Sequence, residues 1–246
     1  MASKSSKYIL AAGCSFTAEN FKSAFHPEMD VSYDKWPTIL GDKLDLMVKN
    51  LGECGIDNTQ IYHRAVADII ENHDRIELVV IGWSQHTRFM VYDTHGHHPS
   101  LHLKNLDKQK VVKNDFVESS MDYYKFIEDK NYLDVAPFEV LFSRIYLLQK
   151  LCDSFGIKHV QGSLCGQFNS YKFSDLIFAN IISSKSFTKV NKKHIIGWPF
   201  LIDMGGFEYD HIDKVNHVSD IDKHPNEKGH KEIAELYYKK YKEIYL

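Results

Sequence analysis

A serine stands directly after a short apolar run near the start of the chain, where it could act as a nucleophile. Residues 8–12 are apolar, and they are followed by Gly13, Cys14, Ser15, Phe16 and Thr17. An apolar run broken by glycine and small polar residues is typical of a buried strand that ends in a sharp turn. Ligands of open α/β sheets bind at the carboxyl ends of the strands. Ser15 is therefore predicted at an edge where a nucleophilic hydroxyl would be useful.

Cys14, the neighbour of Ser15, is a second candidate nucleophile. A thiolate is intrinsically a stronger attacking group than a hydroxyl. The side chains of neighbouring residues diverge at a turn, however, so the two do not occupy the same place. We favour Ser15 as the nucleophile and interpret Cys14 as a small buried packing residue.

Three further stretches combine glycine with polar residues that could contribute to a reaction. They are residues 50–58 (NLGECGIDN), 81–85 (IGWSQ) and 222–230 (DKHPNEKGH). Together with residues 13–17, and in this order, they resemble the sequence blocks of the SGNH (GDSL-like) hydrolases. The resemblance covers most of the chain. It implies a flavodoxin-like three-layer α/β/α sandwich with a parallel sheet.

The resemblance also implies roles for individual residues. The family's nucleophilic serine lies in the first block, which corresponds to Ser15, and its catalytic histidine near the C-terminus corresponds to His224. Its oxyanion donors are a glycine of the second block, here Gly55, and an asparagine of the third block. A glycine suits this role because no Cβ intervenes between its N–H and the substrate. The third-block position holds Ser84, whose hydroxyl can donate one hydrogen bond but is shorter than an amide.

The acid that would orient His224 is ambiguous in the sequence. The family places an aspartate three residues before the histidine, but this position is Ile221, which is flanked by Asp220 and Asp222. Residues two apart in an extended segment project to the same face, which favours Asp222. Asp220 would need a helical turn, which Pro225 disfavours at His224. A third interpretation is that a backbone carbonyl orients the ring.

The function that this pattern implies is that of a serine esterase acting through an acyl-enzyme on a small-molecule or carbohydrate ester. Deacetylation of a carbohydrate is the leading expectation, and no metal or organic cofactor is expected. The alternative is a binding or structural protein that keeps the hydrolase fold while its oxyanion hole is impaired at Ser84. A nucleic-acid-binding module is disfavoured, because 30 basic and 33 acidic residues give a net charge of −3.

Length and composition are those of a globular protein. At 246 residues and 43% hydrophobic content, the chain is predicted to form one domain. The four cysteines show no Cys-x-x-Cys spacing, which fits a reducing cytoplasm. The apolar run at residues 8–12 is too short for a signal peptide, and no window reaches the length of a membrane span. We therefore expect a cytoplasmic protein.

Hydrophobic periodicity predicts alternating strands and helices. Strands are predicted at residues 8–12, 46–50, 76–81, 158–162 and 194–197, so the sheet should have about five. Helices are predicted at residues 36–44, 58–72, 136–156 and 227–245. Residues 86–134 interrupt this order and are predicted to form an insertion over the site. Its histidines 95, 97, 98 and 102 are better explained as a polar loop than as a zinc site, because no further ligand spacing completes a tetrahedral set.

Overall fold

The computed structural model describes residues 7–85, 88–89, 92–93, 96–97, 101–102, 136–164, 185–196 and 216–246. Four parallel strands form the central sheet within these ranges. They are β1 (Tyr8–Gly13), β2 (Met47–Asn50), β3 (Ile76–Trp83) and β4 (Lys158–Ser163). Their spatial order is β2-β1-β3-β4. This is the strand order of flavodoxin-like folds, so the predicted fold class is confirmed.

The inner strands are the most apolar segments of the chain. All six residues of β1 are buried, as are all but one of the residues of β3. Strands that are covered by helices on both faces lose the alternation of polar and apolar residues, which explains these continuous apolar runs. Of the predicted fifth strand, at residues 194–197, the described part reaches residue 196 and forms one parallel bridge, between Gln161 and Ile195. A 3₁₀ turn at Lys192–His194 occupies the start of the predicted segment.

The helices cover the sheet on two sides. They are α1 (Trp36–Leu44), α2 (Asn58–Asn72), α3 (Ala136–Phe155), the short α4 (Lys185–Lys189) and α5 (Glu227–Tyr245). The chain passes from β1 through α1 to one neighbouring strand and from there through α2 to the other, so right-handed crossovers place α1 and α2 on opposite faces. In agreement with this, α1 packs against α5 and α2 packs against α3. The result is a three-layer arrangement.

The predicted insertion lies largely outside the described residues. Within 86–134 the structure describes four two-residue strands, which form two antiparallel pairs, Arg88–Phe89 with Leu101–His102 and Tyr92–Asp93 with Gly96–His97. His95, His98 and residues 103–135 are outside the described ranges. The expectation that this region overhangs the site therefore stays a prediction. In the part of the chain that is described, no helix combines the length and the apolar character of a membrane span.

A buried histidine joins the first and last helices. The first N–H of α1, at Trp36, donates to Nδ1 of His230 in α5 over 3.2 Å. The N-cap residue Lys35 provides no such side-chain bond, so His230 takes the place of a cap. Next to it, the rings of Trp36 and Tyr237 stack with centroids 4.3 Å apart. Burial, together with the charges of Lys35 and His224, lowers the pKa of His230 to about 3.

Acid should therefore weaken the fold through His230. Its folded-state pKa lies below the value of about 6.5 for an unfolded histidine, so the unfolded chain takes up the proton first as the pH falls. This contribution to stability is complete above about pH 6.5 and is lost progressively towards pH 3. At pH 4.5 we expect His230 alone to cost about 2.5 kcal/mol relative to pH 7.

Urea unfolding of His230→Asn at pH 7 and pH 4.5 measures this effect. The asparagine oxygen can still accept from Trp36, but it does not titrate, so the loss of stability between the two pH values should shrink by about 2.5 kcal/mol. Burial also lowers the pKa of His159 to about 4, so some pH dependence will remain in both proteins. His63→Asn, on the exposed face of α2, is the control and should behave like the parent. An equal pH dependence in parent and His230→Asn would contradict the assignment.

Candidate active site

Ser15 follows the carboxyl end of β1, one of the two inner strands of the sheet. Gly13, the last residue of β1, pairs with Gly82 of β3, and the chain then turns so that the N–H groups of Thr17 and Ala18 both donate to the carbonyl of Cys14. A Cβ on Gly13 would lie only 2.1 Å from Oγ1 of Thr17. The close approach of this turn therefore requires glycine at position 13.

The structure brings Ser15, His224 and Asp222 into one hydrogen-bonded line. Oγ of Ser15 is 2.7 Å from Nε2 of His224. On the other side of the ring, Nδ1 is 2.5 Å from Oδ1 of Asp222. The side chain of His224 is 26% exposed, whereas that of Asp222 is 1% exposed. The line thus runs from a buried carboxylate through a partly exposed imidazole to the hydroxyl of Ser15, which is 9% exposed.

The charge of Asp222 determines which ring nitrogen carries the proton. Burial by itself would raise the pKa of this carboxyl, but hydrogen bonds from His224 and Ser23 lower it to about 2. Asp222 is therefore ionised at neutral pH and can only accept hydrogen bonds. Nδ1 of the neutral ring must then be the protonated nitrogen. This leaves Nε2 as an acceptor for the hydroxyl proton of Ser15.

Two phenylalanines hold the imidazole ring of His224. The ring of Phe21 stacks on it with centroids 4.3 Å apart, and the ring of Phe16 packs against it at 4.7 Å. Both phenylalanines are buried. Their contacts restrict rotation of the imidazole and exclude water from its faces. Both lie in the segment that follows Ser15, so the candidate nucleophile and the ring contacts come from the same stretch of chain.

Backbone hydrogen bonds hold the loop that carries His224 together. His217 and Pro225 form an antiparallel bridge, and the N–H of Val218 donates to the carbonyl of His224 over 2.8 Å. The N–H of His224 also donates to Oδ1 of Asp222 over 3.1 Å. Immediately afterwards Asn226 caps α5 by accepting from two backbone N–H groups. The helix thereby fixes the histidine-bearing loop.

Gly55, the predicted oxyanion donor, lies in a turn beside the end of β1. Its φ angle is +84°, a conformation that favours glycine, and no atom of the described residues lies within 4 Å of the position where a Cβ would be. The preceding residues are fixed against the strand, because Glu53 donates through its N–H to the carbonyl of Gly13 over 3.1 Å. Asn50 also donates through its side chain to the carbonyl of Thr17 over 2.7 Å.

Ser84, the predicted third-block donor, follows β3 and is completely buried. Its backbone is bound by the side chain of Asn58, which accepts from the Ser84 N–H over 2.8 Å and donates to its carbonyl over 2.9 Å. Asn58 also donates to the carbonyl of Gln85 over 3.2 Å. The side-chain amide of Asn58, at the start of α2, thus links residues 50–58 to residues 81–85. The role of the Ser84 hydroxyl as an oxyanion donor stays a prediction.

The remaining candidates lie elsewhere. Cys14 is completely buried, while Ser15 meets the histidine. Asp220 is exposed. Nδ1 of His224, the ring nitrogen that the orienting acid would bind, is bonded to Asp222 instead. Sequence reasoning missed Phe16, Phe21, Ser23 and Asn58. None of these has a signal beyond its residue type, except that Asn58 follows a recognisable helix cap at Asp57.

Comparisons with known proteins add structural likenesses but no sequence family. No family model matches the chain, and no curated protein matches it either. A solved structure from Desulfitobacterium hafniense DCB-2, provisionally assigned as a lipolytic protein of the G-D-S-L family, is 15% identical in sequence. The match covers 95% of this chain and 99% of that chain, with a TM-score of 0.48. A likeness of this size carries no conclusion about activity.

The bonds made by Asn58 should be important for stability. Asn58→Ala removes three hydrogen bonds to the buried backbone at residues 84 and 85, so we expect the free energy of unfolding to fall by about 2–3 kcal/mol. Urea denaturation measures this loss. Asn72→Ala, at the other end of α2, removes one partly buried bond to Asp68 and should cost less than about 1 kcal/mol. Equal losses of unfolding free energy in the two variants would contradict a stabilising link between residues 50–58 and 81–85.

Proposed function

We propose that this protein is a serine hydrolase that cleaves small esters through an acyl-enzyme. The observation that carries the proposal is the line formed by Ser15, His224 and Asp222, with 2.7 Å and 2.5 Å between the bonded atoms. A serine hydroxyl is a weak nucleophile unless an adjacent base takes its proton. The combination of nucleophile, base and buried carboxylate meets that requirement.

The reaction follows from the positions of the protons. Oγ of Ser15 attacks the ester carbonyl carbon as its proton passes to Nε2 of His224, and a tetrahedral oxyanion forms. When the ester C–O bond breaks, His224 returns this proton to the leaving alcohol, and the acyl group stays on Ser15. A water molecule then attacks the acyl carbon and gives its proton to His224. Collapse of the second tetrahedral intermediate releases the acid, and His224 reprotonates Ser15.

The negative charge of Asp222 is needed twice in this cycle. Each transfer to Nε2 produces an imidazolium, and the carboxylate of Asp222 stabilises it from the Nδ1 side. The oxyanion would be stabilised by the N–H groups of Gly55 and Ser15 and by the Ser84 hydroxyl. The turn at Gly55 supports this assignment, because no atom of the described residues lies within 4 Å of the place of its Cβ. An O-acetylated carbohydrate is the substrate that the SGNH resemblance favours.

The second candidate is a binding or structural protein with an impaired site. It is favoured by Ser84, which stands where the resembled family has an asparagine and is completely buried. Loss of one oxyanion donor lowers kcat by roughly 10²–10³ without preventing attack by the serine. The two candidates therefore differ in turnover more than in the reactivity of Ser15.

Labelling with a fluorophosphonate probe tests the proposed function. We expect one equivalent of probe to attach to the parent protein, and peptide mapping to locate it on Ser15. Ser15→Ala should abolish both labelling and the hydrolysis of p-nitrophenyl acetate, because it removes the attacking oxygen. Cys14→Ala keeps Ser15 and should still be labelled.

Three other results would each change the conclusion. Labelling that survives in Ser15→Ala and disappears in Cys14→Ala would make Cys14 the nucleophile. Stoichiometric labelling of Ser15 without turnover of any ester would favour the impaired protein. A folded parent protein that does not react with the probe at all would contradict the hydrolase assignment.

A further inference from the structure

A second serine contacts the carboxylate of the candidate site from the opposite side. Oγ of Ser23 donates to Oδ2 of Asp222 over 2.5 Å, and both residues are buried. His224 uses only the other oxygen, Oδ1, through its ring and its backbone N–H. The hydrogen bond to Oδ2 comes from Ser23. Its contact with the acid joins positions 199 residues apart in the chain.

The hydroxyl of Ser23 is oriented for this contact. The N–H of His26 donates to Oγ of Ser23 over 3.0 Å. This bond occupies an acceptor site of the oxygen, so that the Ser23 proton is directed to Asp222. An oriented donor to an ionised acceptor makes one of the stronger classes of hydrogen bond. A solvent-exposed hydroxyl would have to give up bonds to water for the same contact.

The backbone of Asp222 is held by the same region. Its N–H donates to Oγ of Ser219 over 3.0 Å, and Nε2 of His26 lies 2.8 Å from this oxygen. Ser23 and His26 thus meet the aspartate at its carboxylate and, through Ser219, at its backbone. Rotation of the Asp222 side chain would break the bond to Ser23. The orientation of the carboxylate is consequently set by contacts from both sides.

We propose that Ser23 is a positioning residue of this site, which locks the Asp222 carboxylate in the orientation that holds His224 against Ser15. The inference rests on the proposed function and deepens it by adding a fourth side chain to the line formed by Ser15, His224 and Asp222. Ser23 does not touch the reacting atoms. It acts by keeping Oδ1 of Asp222 directed at Nδ1 of His224 throughout the cycle. The segment from Ser15 to Ser23 would then supply the nucleophile, the ring contacts and the lock on the acid.

Ser23→Ala should slow the chemical step while leaving substrate binding intact. A hydrogen bond to a charged group contributes roughly ten- to a hundredfold when expressed as a rate, so we expect kcat for p-nitrophenyl acetate to fall by about that factor. KM should change by less than about twofold, because the lost bond faces away from the substrate. Inactivation by the fluorophosphonate should slow by a similar factor. Ser23→Thr keeps the hydroxyl and should recover most of both rates.

A second measurement does not depend on activity. Carbon-13 NMR of labelled aspartate follows the ionisation of Asp222 directly, and the pKa of this carboxyl should rise in Ser23→Ala because one of its hydrogen bonds is lost. His224 and Tyr33, which interact with Asp222, are present in both parent and variant. Ser154→Ala, which removes an exposed hydroxyl on α3, is the control and should match the parent in every measurement.

The outcomes separate the two proposals. Parental kcat together with an unshifted Asp222 titration in Ser23→Ala overturns the inference. A fall in kcat with an unshifted titration also overturns it, since the effect would then come from a general disturbance of the fold. If the parent protein itself has no turnover and no reaction with the probe, the proposed function fails. The Asp222 titration then still decides whether Ser23 holds the carboxylate.

Discussion

The site depends on one buried negative charge, that of Asp222. Burying a carboxylate is unfavourable unless hydrogen bonds replace its water, and here the bonds come from the ring and backbone of His224 and from the hydroxyl of Ser23. Because the charge persists down to about pH 2, it fixes the proton of His224 on Nδ1. Any activation of Ser15 requires an acceptor at Nε2 of His224. That acceptor is therefore available because of the buried carboxylate of Asp222.

The elements that carry the site could be predicted because each has a local signal. The continuous apolar runs predicted β1 and β3, and a turn with Gly13 followed at the point where the sequence changes from apolar to small polar residues. The choice of Asp222 over Asp220 came from the geometry of an extended chain, and the structure places Asp222 against the ring. The predicted fifth strand is described only to residue 196 and there forms one parallel bridge to Gln161. Its apolar pattern does not reveal that the first residue, His194, belongs to a 3₁₀ turn at Lys192–His194.

What the sequence could not reveal are contacts between segments that are distant along the chain. Ser23 lies in a stretch without periodicity or motif, and its role is defined only when folding places it against a residue 199 positions away. The same holds for Phe21, whose ring is one of many aromatic rings until it stacks on His224. Asn58 looks like an ordinary first residue of a helix, yet its amide binds the backbone after β3. Such tertiary hydrogen bonds obey no spacing rule, whereas strands and helices do.

The most direct test of the account is to determine which nitrogen of His224 carries the proton in the free protein at neutral pH. Two-bond hydrogen–nitrogen correlation spectra of nitrogen-15 histidine-labelled protein distinguish the two neutral tautomers, and His224→Gln identifies the signal. We expect the Nδ1–H tautomer in the parent and in Asp220→Asn. We expect its loss in Asp222→Asn, where the acceptor is no longer a carboxylate. An Nε2–H tautomer in the parent, or the same tautomer in Asp222→Asn as in the parent, would contradict it.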